Sequence, residues 1–171
     1  MFQGGGDGLV NAYDAASGKE IRHFVGYAGP VIPVAFSPDG EWVLTGSADK
    51  TARLWDADSG EEIRQFVGHS AFVSSVAISP DGKMILTGAS DGTARLWNMA
   101  GGEEIQRFAG YSETLAFSPD GQTVMVGSQR GTVRLWNTAG GKETRQLNGD
   151  SVSPVVFMPD RRTMLTGSSD K

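Results

Sequence analysis

The chain has 171 residues, 39% of them apolar and 20% charged, enough for one globular domain or two. Its 15 Lys and Arg against 20 Asp and Glu leave a net charge of −5, which argues against a phosphate-tracking groove or a general attraction to anionic lipid. It has no cysteine, so disulfides, thiolate metal sites and cysteine nucleophiles are excluded. No apolar run approaches the roughly 20 residues of a membrane helix. Met1-Phe2-Gln3-Gly4-Gly5-Gly6 lacks the basic and apolar regions of a secretory signal. The expectation is a cytoplasmic protein with neither a membrane nor a nucleic-acid partner. Glycine stands out at 24 residues, about twice its usual share of roughly 7%.

A repeat accounts for that glycine. Residues 1–25 form the back half of a copy, because Gly4, Asp7, Tyr13, Asp14, Gly18 and Phe24 recur 42 positions later as Gly46, Asp49, Trp55, Asp56, Gly60 and Phe66. Full copies of 42 residues follow at 26–67 and 68–109, then a copy of 39 residues at 110–148 that has lost three before Ser118. The front half of another copy occupies 149–171.

Each copy predicts four short strands. In 68–109 the β-branched run Val73 to Ser79 ends at the turn Pro80-Asp81-Gly82, and a second strand runs from Met84 to Gly88. Asp91-Gly92 then marks a hairpin into Ala94-Arg95-Leu96-Trp97, and Gly101-Gly102 separates that strand from Glu104 to Phe108. Helical periodicity is absent over any useful length. The prediction is an all-β protein built from four-stranded antiparallel meanders.

Gly68-His69, Ser79-Pro80-Asp81-Gly82, Asp91 and the Trp55-Asp56 ending, with Trp97-Asn98 and Trp136-Asn137 as variants, resemble the WD-repeat β-propeller family over nearly the whole chain. The resemblance implies radial four-stranded blades, three complete and two half blades here, and a scaffold that holds other proteins together. It also implies a buried hydrogen-bonded tetrad of His69, Thr87, Asp91 and Trp97. A His, a Thr and an Asp in one network could be read as a nucleophilic triad. An indole N–H, a donor only, ends the network and suits a structural role better. The tetrad decays along the chain. Tyr27 replaces the His beside Thr45, Asp49 and Trp55, and the third full copy keeps only Trp136, with Tyr111, Val126 and Arg130 in the other places. That copy is expected to be the least stable. Arg53, Arg95 and Arg134 stand two residues before each Trp and are expected to pair with a neighbouring blade's carboxylate or to stack on a ring. His23 reads as a solvated edge residue.

In the family, partners usually dock where the loops between blades meet the hairpins after the second strand. The matching residues are Tyr27, Pro30, Ala48, Ser70, Phe72, Ser90, Tyr111, Gln129 and Arg130, with Phe72 as a candidate anchor. The shortened segment before Ser118 is expected to lower the rim beside Arg130 and Asp150, forming a recess. The functional expectation is a non-enzymatic interaction scaffold for a protein or peptide, with no cofactor, metal or catalytic residue. Its rivals are a structural segment of a larger signalling or assembly protein and a propeller enzyme with a site in the central channel. Pairing of the terminal halves would close four blades, and exchange between two copies would make an eight-bladed homodimer. Against closure, Phe2 to Asp7 and Leu165 to Asp170 carry the same second strand twice, which suits a stretch of a longer array.

Overall fold

A computed structural model describes residues 2–4, 8–110, 112, 114–128, 131–148, 155–158 and 163–166. Its elements are all strands. The first sheet comprises β1 (Phe2–Gly4), β2 (Leu9–Tyr13) and β3 (Glu20–Val25). A four-stranded sheet follows, from β4 (Val31–Phe36), β5 (Trp42–Ser47), β6 (Thr51–Asp56) and β7 (Glu62–Val67). The next is β8 (Val73–Ile78), β9 (Met84–Ala89), β10 (Thr93–Asn98) and β11 (Glu104–Ala109). The third four-stranded sheet is β12 (Thr114–Phe117), β13 (Thr123–Gly127), β14 (Thr132–Asn137) and β15 (Glu143–Asn148). Last come β16 (Val155–Phe157) and β17 (Met164–Thr166). Every pairing is antiparallel between sequence neighbours, so each sheet is a meander.

Strands β2, β6, β10 and β14 each carry a register shift against the outer strand, between Ala12 and Tyr13, Leu54 and Trp55, Leu96 and Trp97, and Leu135 and Trp136. A bulge at the same place in each copy increases local twist. Alternate side chains of one strand point to opposite faces, and both faces are buried by neighbouring sheets. Val43 and Trp55 turn back onto Val10 and Phe24, whereas Leu44, Leu54 and Phe66 turn forward onto Val73, Ile85 and Trp97. Leu86, Leu96 and Phe108 then meet Val124 and Val126. At each junction a Trp packs on the outer-strand Phe of the sheet before it, with ring centroids 5.7 Å apart for Phe24–Trp55, 5.7 Å for Phe66–Trp97 and 5.4 Å for Phe108–Trp136. The indole is therefore the wedge between blades.

The second strand expected at both ends is present: Phe2–Gly4 joins β2 in register with Val10 to Ala12. The terminal halves do not merge into one blade: β1–β3 and β16–β17 are separate sheets, each already holding a second strand.

Candidate functional site

The most organised polar cluster lies in the β8–β11 sheet. Thr87 sits on β9 opposite Arg95 of β10, which places the Trp97 indole beside its hydroxyl. His69 enters from the loop after β7, and Asp91 from the β9–β10 hairpin. Trp97 Nε1–H donates to Thr87 Oγ1 at 2.8 Å, His69 Nε2 lies 2.8 Å from the same oxygen, and His69 Nδ1 lies 2.9 Å from Asp91 Oδ2. The Thr87 hydroxyl, already accepting from the indole, gives its own proton to Nε2. That leaves the proton of a neutral imidazole on Nδ1, donated to the carboxylate. Burial holds the His69 pKa below its ordinary value, outweighing the attraction of Asp91. Burial would raise the Asp91 pKa, but donation from Thr93, the Ser70 amide and His69 outweighs it and brings the value down to about 2. Every member is thus occupied: Asp91 Oδ1 accepts from the Thr93 amide at 3.0 Å and its hydroxyl at 2.7 Å, and Oδ2 accepts from the Ser70 amide at 3.0 Å.

One sheet earlier the network is rewired. Trp55 Nε1–H donates to Thr45 Oγ1 at 2.7 Å, and the Tyr27 hydroxyl meets the same Oγ1 and donates to the Thr45 carbonyl at 2.9 Å. A phenol carries one proton and cannot serve Thr45 and Asp49 together. Asp49 turns instead to Thr51, the Ala28 amide and Arg53, and the Arg53 guanidinium lies 4.4 Å from the Tyr27 ring centroid. Tyr27 is only 9% exposed, and burial raises its pKa, so it is a core residue and not part of the docking rim. In the β12–β15 sheet Val126 occupies the Thr place, and Trp136 Nε1 is buried without a partner among the described residues.

The recurrent arginines also differ from expectation. Arg53 Nη1–H donates to Glu62 Oε2 at 2.7 Å and Arg95 Nη1–H to Glu104 Oε2 at 2.7 Å, both carboxylates belonging to the outer strand of the same sheet. Outer-strand and third-strand neighbours are nearer than the next blade, so the pair ties β6 to β7 and β10 to β11. The stacking half of the expectation describes Arg53. His23 is exposed, with Nδ1 2.7 Å from Glu20 Oε1.

On the loop face, Pro30, Ala48, Ser70 and Ser90 are exposed and Phe72 is half-buried. Tyr111, Gln129, Arg130 and Asp150 lie outside the described residues. The face is held by the backbone: the Ala48 amide donates to the Pro30 carbonyl at 2.9 Å, and the Ser90 amide to the Phe72 carbonyl at 2.9 Å. Ser47 Oγ–H adds donation to the carbonyls of Gly29 and Pro30, 3.1 Å from each. In the shortened segment Ser112 is buried, its Oγ–H donates to the Thr93 carbonyl at 3.1 Å, and a Cβ at Gly88 would strike it. The recess expected beside Arg130 and Asp150 lies outside the described residues.

The sequence reading missed a contact on the opposite face. The stem of Arg64 on β7 lies over Gly102 in the β10–β11 turn, and Nη1–H donates to the Gly101 carbonyl at 3.0 Å. Arg22 over Gly60 and Gln106 over Gly141 repeat the arrangement. The signal was a second residue recurring with the repeat, hidden because the copy at 68–109 changes it from Arg to Gln.

The model of the family described as "WD domain, G-beta repeat" matches residues 18–56, 60–98 and 102–137. The chain belongs to the WD-repeat family. Each matched WD repeat starts at the outer strand of one sheet and ends at the third strand of the next, so 60–98 takes in β7 to β10. Over 51 residues the chain is 43% identical to the "Serine-threonine kinase receptor-associated protein" of Rattus norvegicus and of Homo sapiens, and 41% identical to that of Gallus gallus. The match covers 30% of this chain and 15% of each relative.

Proposed function

We propose that the chain is a non-enzymatic scaffold whose loop face, carrying Pro30, Ala48, Ser70, Phe72 and Ser90, docks a protein or peptide partner. The observation that carries this reading is the commitment of the polar cluster: both ring nitrogens of His69 and the Thr87 hydroxyl are bonded inside the blade, so neither of these two side chains is free to act as base or nucleophile. Among the described residues, no group of three or more His, Asp or Glu side chains is placed to hold a metal ion. The backbone ties between adjoining loops and hairpins supply what a docking face needs, a surface ordered before the partner arrives. A relative named for association with a receptor supports a protein as the partner.

Site-specific photo-crosslinkers at Ser70 and Ser90, with Arg145 on exposed β15 as control, test the reading. Capture of the same protein from both loop positions, reduced by Phe72→Ala and absent at Arg145, is the expected result. Equal capture at all three positions, or capture indifferent to Phe72→Ala, would refute it.

A further inference from the structure

On the face opposite the loops, a cavity of about 500 Å³ opens between the β4–β7 and β8–β11 sheets. Trp42, Leu54 and Ile63 form one wall and Met99 faces them, with Arg64 and Lys83 beside this apolar surface. The volume suits one large side chain and its flanking backbone. Arg64 is fixed by its bond to the Gly101 carbonyl, and its Nε is buried with no hydrogen-bond partner. Neither Arg64 nor Lys83 forms an ion pair among the described residues.

The repeat provides its own comparison. At the preceding junction Arg22 keeps the place of Arg64, whereas the places of Lys83, Asn98 and Ala100 hold Glu41, Asp56 and Asp58, which with Asp39, the counterpart of Asp81, line an acidic recess. At the following junction the places of Arg64, Lys83 and Met99 hold Gln106, Gln122 and Thr138. Blade packing therefore works with an acidic, a neutral or a basic rim. The two cations beside Trp42 and Met99 are not demanded by the fold, and they stand on a chain of net charge −5. A long polyanion crossing this face would meet the Asp39, Glu41, Asp56 and Asp58 carboxylates, whereas a short acidic segment fits within the middle junction alone.

We propose that this inter-blade groove binds a short peptide segment presenting one large apolar side chain next to a carboxylate, the side chain entering between Trp42, Ile63 and Met99 and the carboxylate meeting Arg64 and Lys83. A carboxylate is drawn by the two neighbouring cations, with the Arg64 guanidinium held in place by its bond to the Gly101 carbonyl. The site is separate from the loop face, so either can fail without the other.

The test uses the intact chain and fluorescent hexapeptides of sequence Asp-Glu-Phe-Leu-Asp-Ser and its basic counterpart Lys-Lys-Phe-Leu-Lys-Ser, with binding read by anisotropy and by the Trp42 indole NMR signal. The acidic probe is expected to bind and to shift that signal. Lys83→Glu, which installs the residue found at the preceding junction, and Ile63→Asp, at a position 46% exposed, each weaken it about tenfold or more. The basic probe binds at least about tenfold more weakly, and Phe72→Ala changes nothing. No binding of the acidic probe up to about 1 mM would overturn the proposal. So would equal affinity for the two probes, or loss with Phe72→Ala but not with Lys83→Glu. A self-association abolished by Lys83→Glu in the absence of peptide binding would assign the groove to a second copy of the chain and likewise overturn it.

Discussion

Replacing Thr87 by Val keeps the shape of the side chain and removes one hydroxyl. That hydroxyl is fully buried and serves both the Trp97 indole and the His69 ring, each at 2.8 Å. Its loss strands one buried N–H donor and one buried imidazole acceptor. Each unmet group costs roughly 1–3 kcal/mol, so the expected loss is about 2–6 kcal/mol. Thr87→Ser retains the hydroxyl and sheds a methyl, for which about 1 kcal/mol is expected. The β12–β15 sheet already contains the first change in natural form: Val126 pairs with Arg134 in the register by which Thr87 pairs with Arg95, and the Trp136 indole lacks an acceptor. Val126→Thr should therefore stabilise that sheet by about 1 kcal/mol. Urea denaturation followed by far-ultraviolet circular dichroism gives the overall change, and amide exchange on β9 and β10 locates it. A Thr87→Val protein within about 0.5 kcal/mol of the parent, or a Thr87→Ser protein as damaged as the Val variant, would refute the network as a source of stability.

Further outcomes follow from the same geometry. Because the folded state holds the His69 pKa below its ordinary 6.5, the unfolded chain takes up a proton first; this contribution is complete above 6.5 and declines as pH falls below it. Asp91, ordinarily 3.8 and about 2 when folded, adds a loss of about 2 kcal/mol between those values, so urea midpoints should fall on acidification and flatten in His69→Gln between pH 7 and 5. Amides of β13 and β14 should exchange faster than those of β9 and β10, since their sheet lacks the hydrogen-bonded tetrad; the reverse order, read by mass spectrometry, would contradict this. Gly102→Ala should cost about 1–3 kcal/mol, because φ is +84° and the new methyl lies 2.9 Å from Arg64 Cδ. Gly82→Ala, at φ +67° with nothing within 4 Å, carries the backbone cost alone and should be milder in the same denaturation assay.

The tetrad was legible because its members recur at fixed places and each side chain has a restricted donor and acceptor inventory. Tyr27 shows where that legibility stopped. Sequence position placed it in both the His place and the docking rim, and only burial and its bonds to Thr45 decide for the core. For Arg53 and Arg95 the sequence narrowed the partners to a carboxylate or a ring. It could not say which strand would supply the carboxylate, because that depends on the bulge before each Trp, which brings Glu62 and Glu104 of the same sheet into reach.

The sequence by itself determined the unit of this protein: turn chemistry at fixed offsets, β-branched runs between the turns, and a period that repeats both. These are local properties, set by backbone preference and by the alternation of side chains along a strand. Tertiary structure alone decided what lies between the units. The groove lined by Trp42, Ile63, Arg64, Lys83 and Met99 draws on residues up to 57 positions apart in two sheets, and no motif links them. Its chemistry comes from the places where one copy departs from the next, and those departures acquire meaning only when the sheets are set face to face.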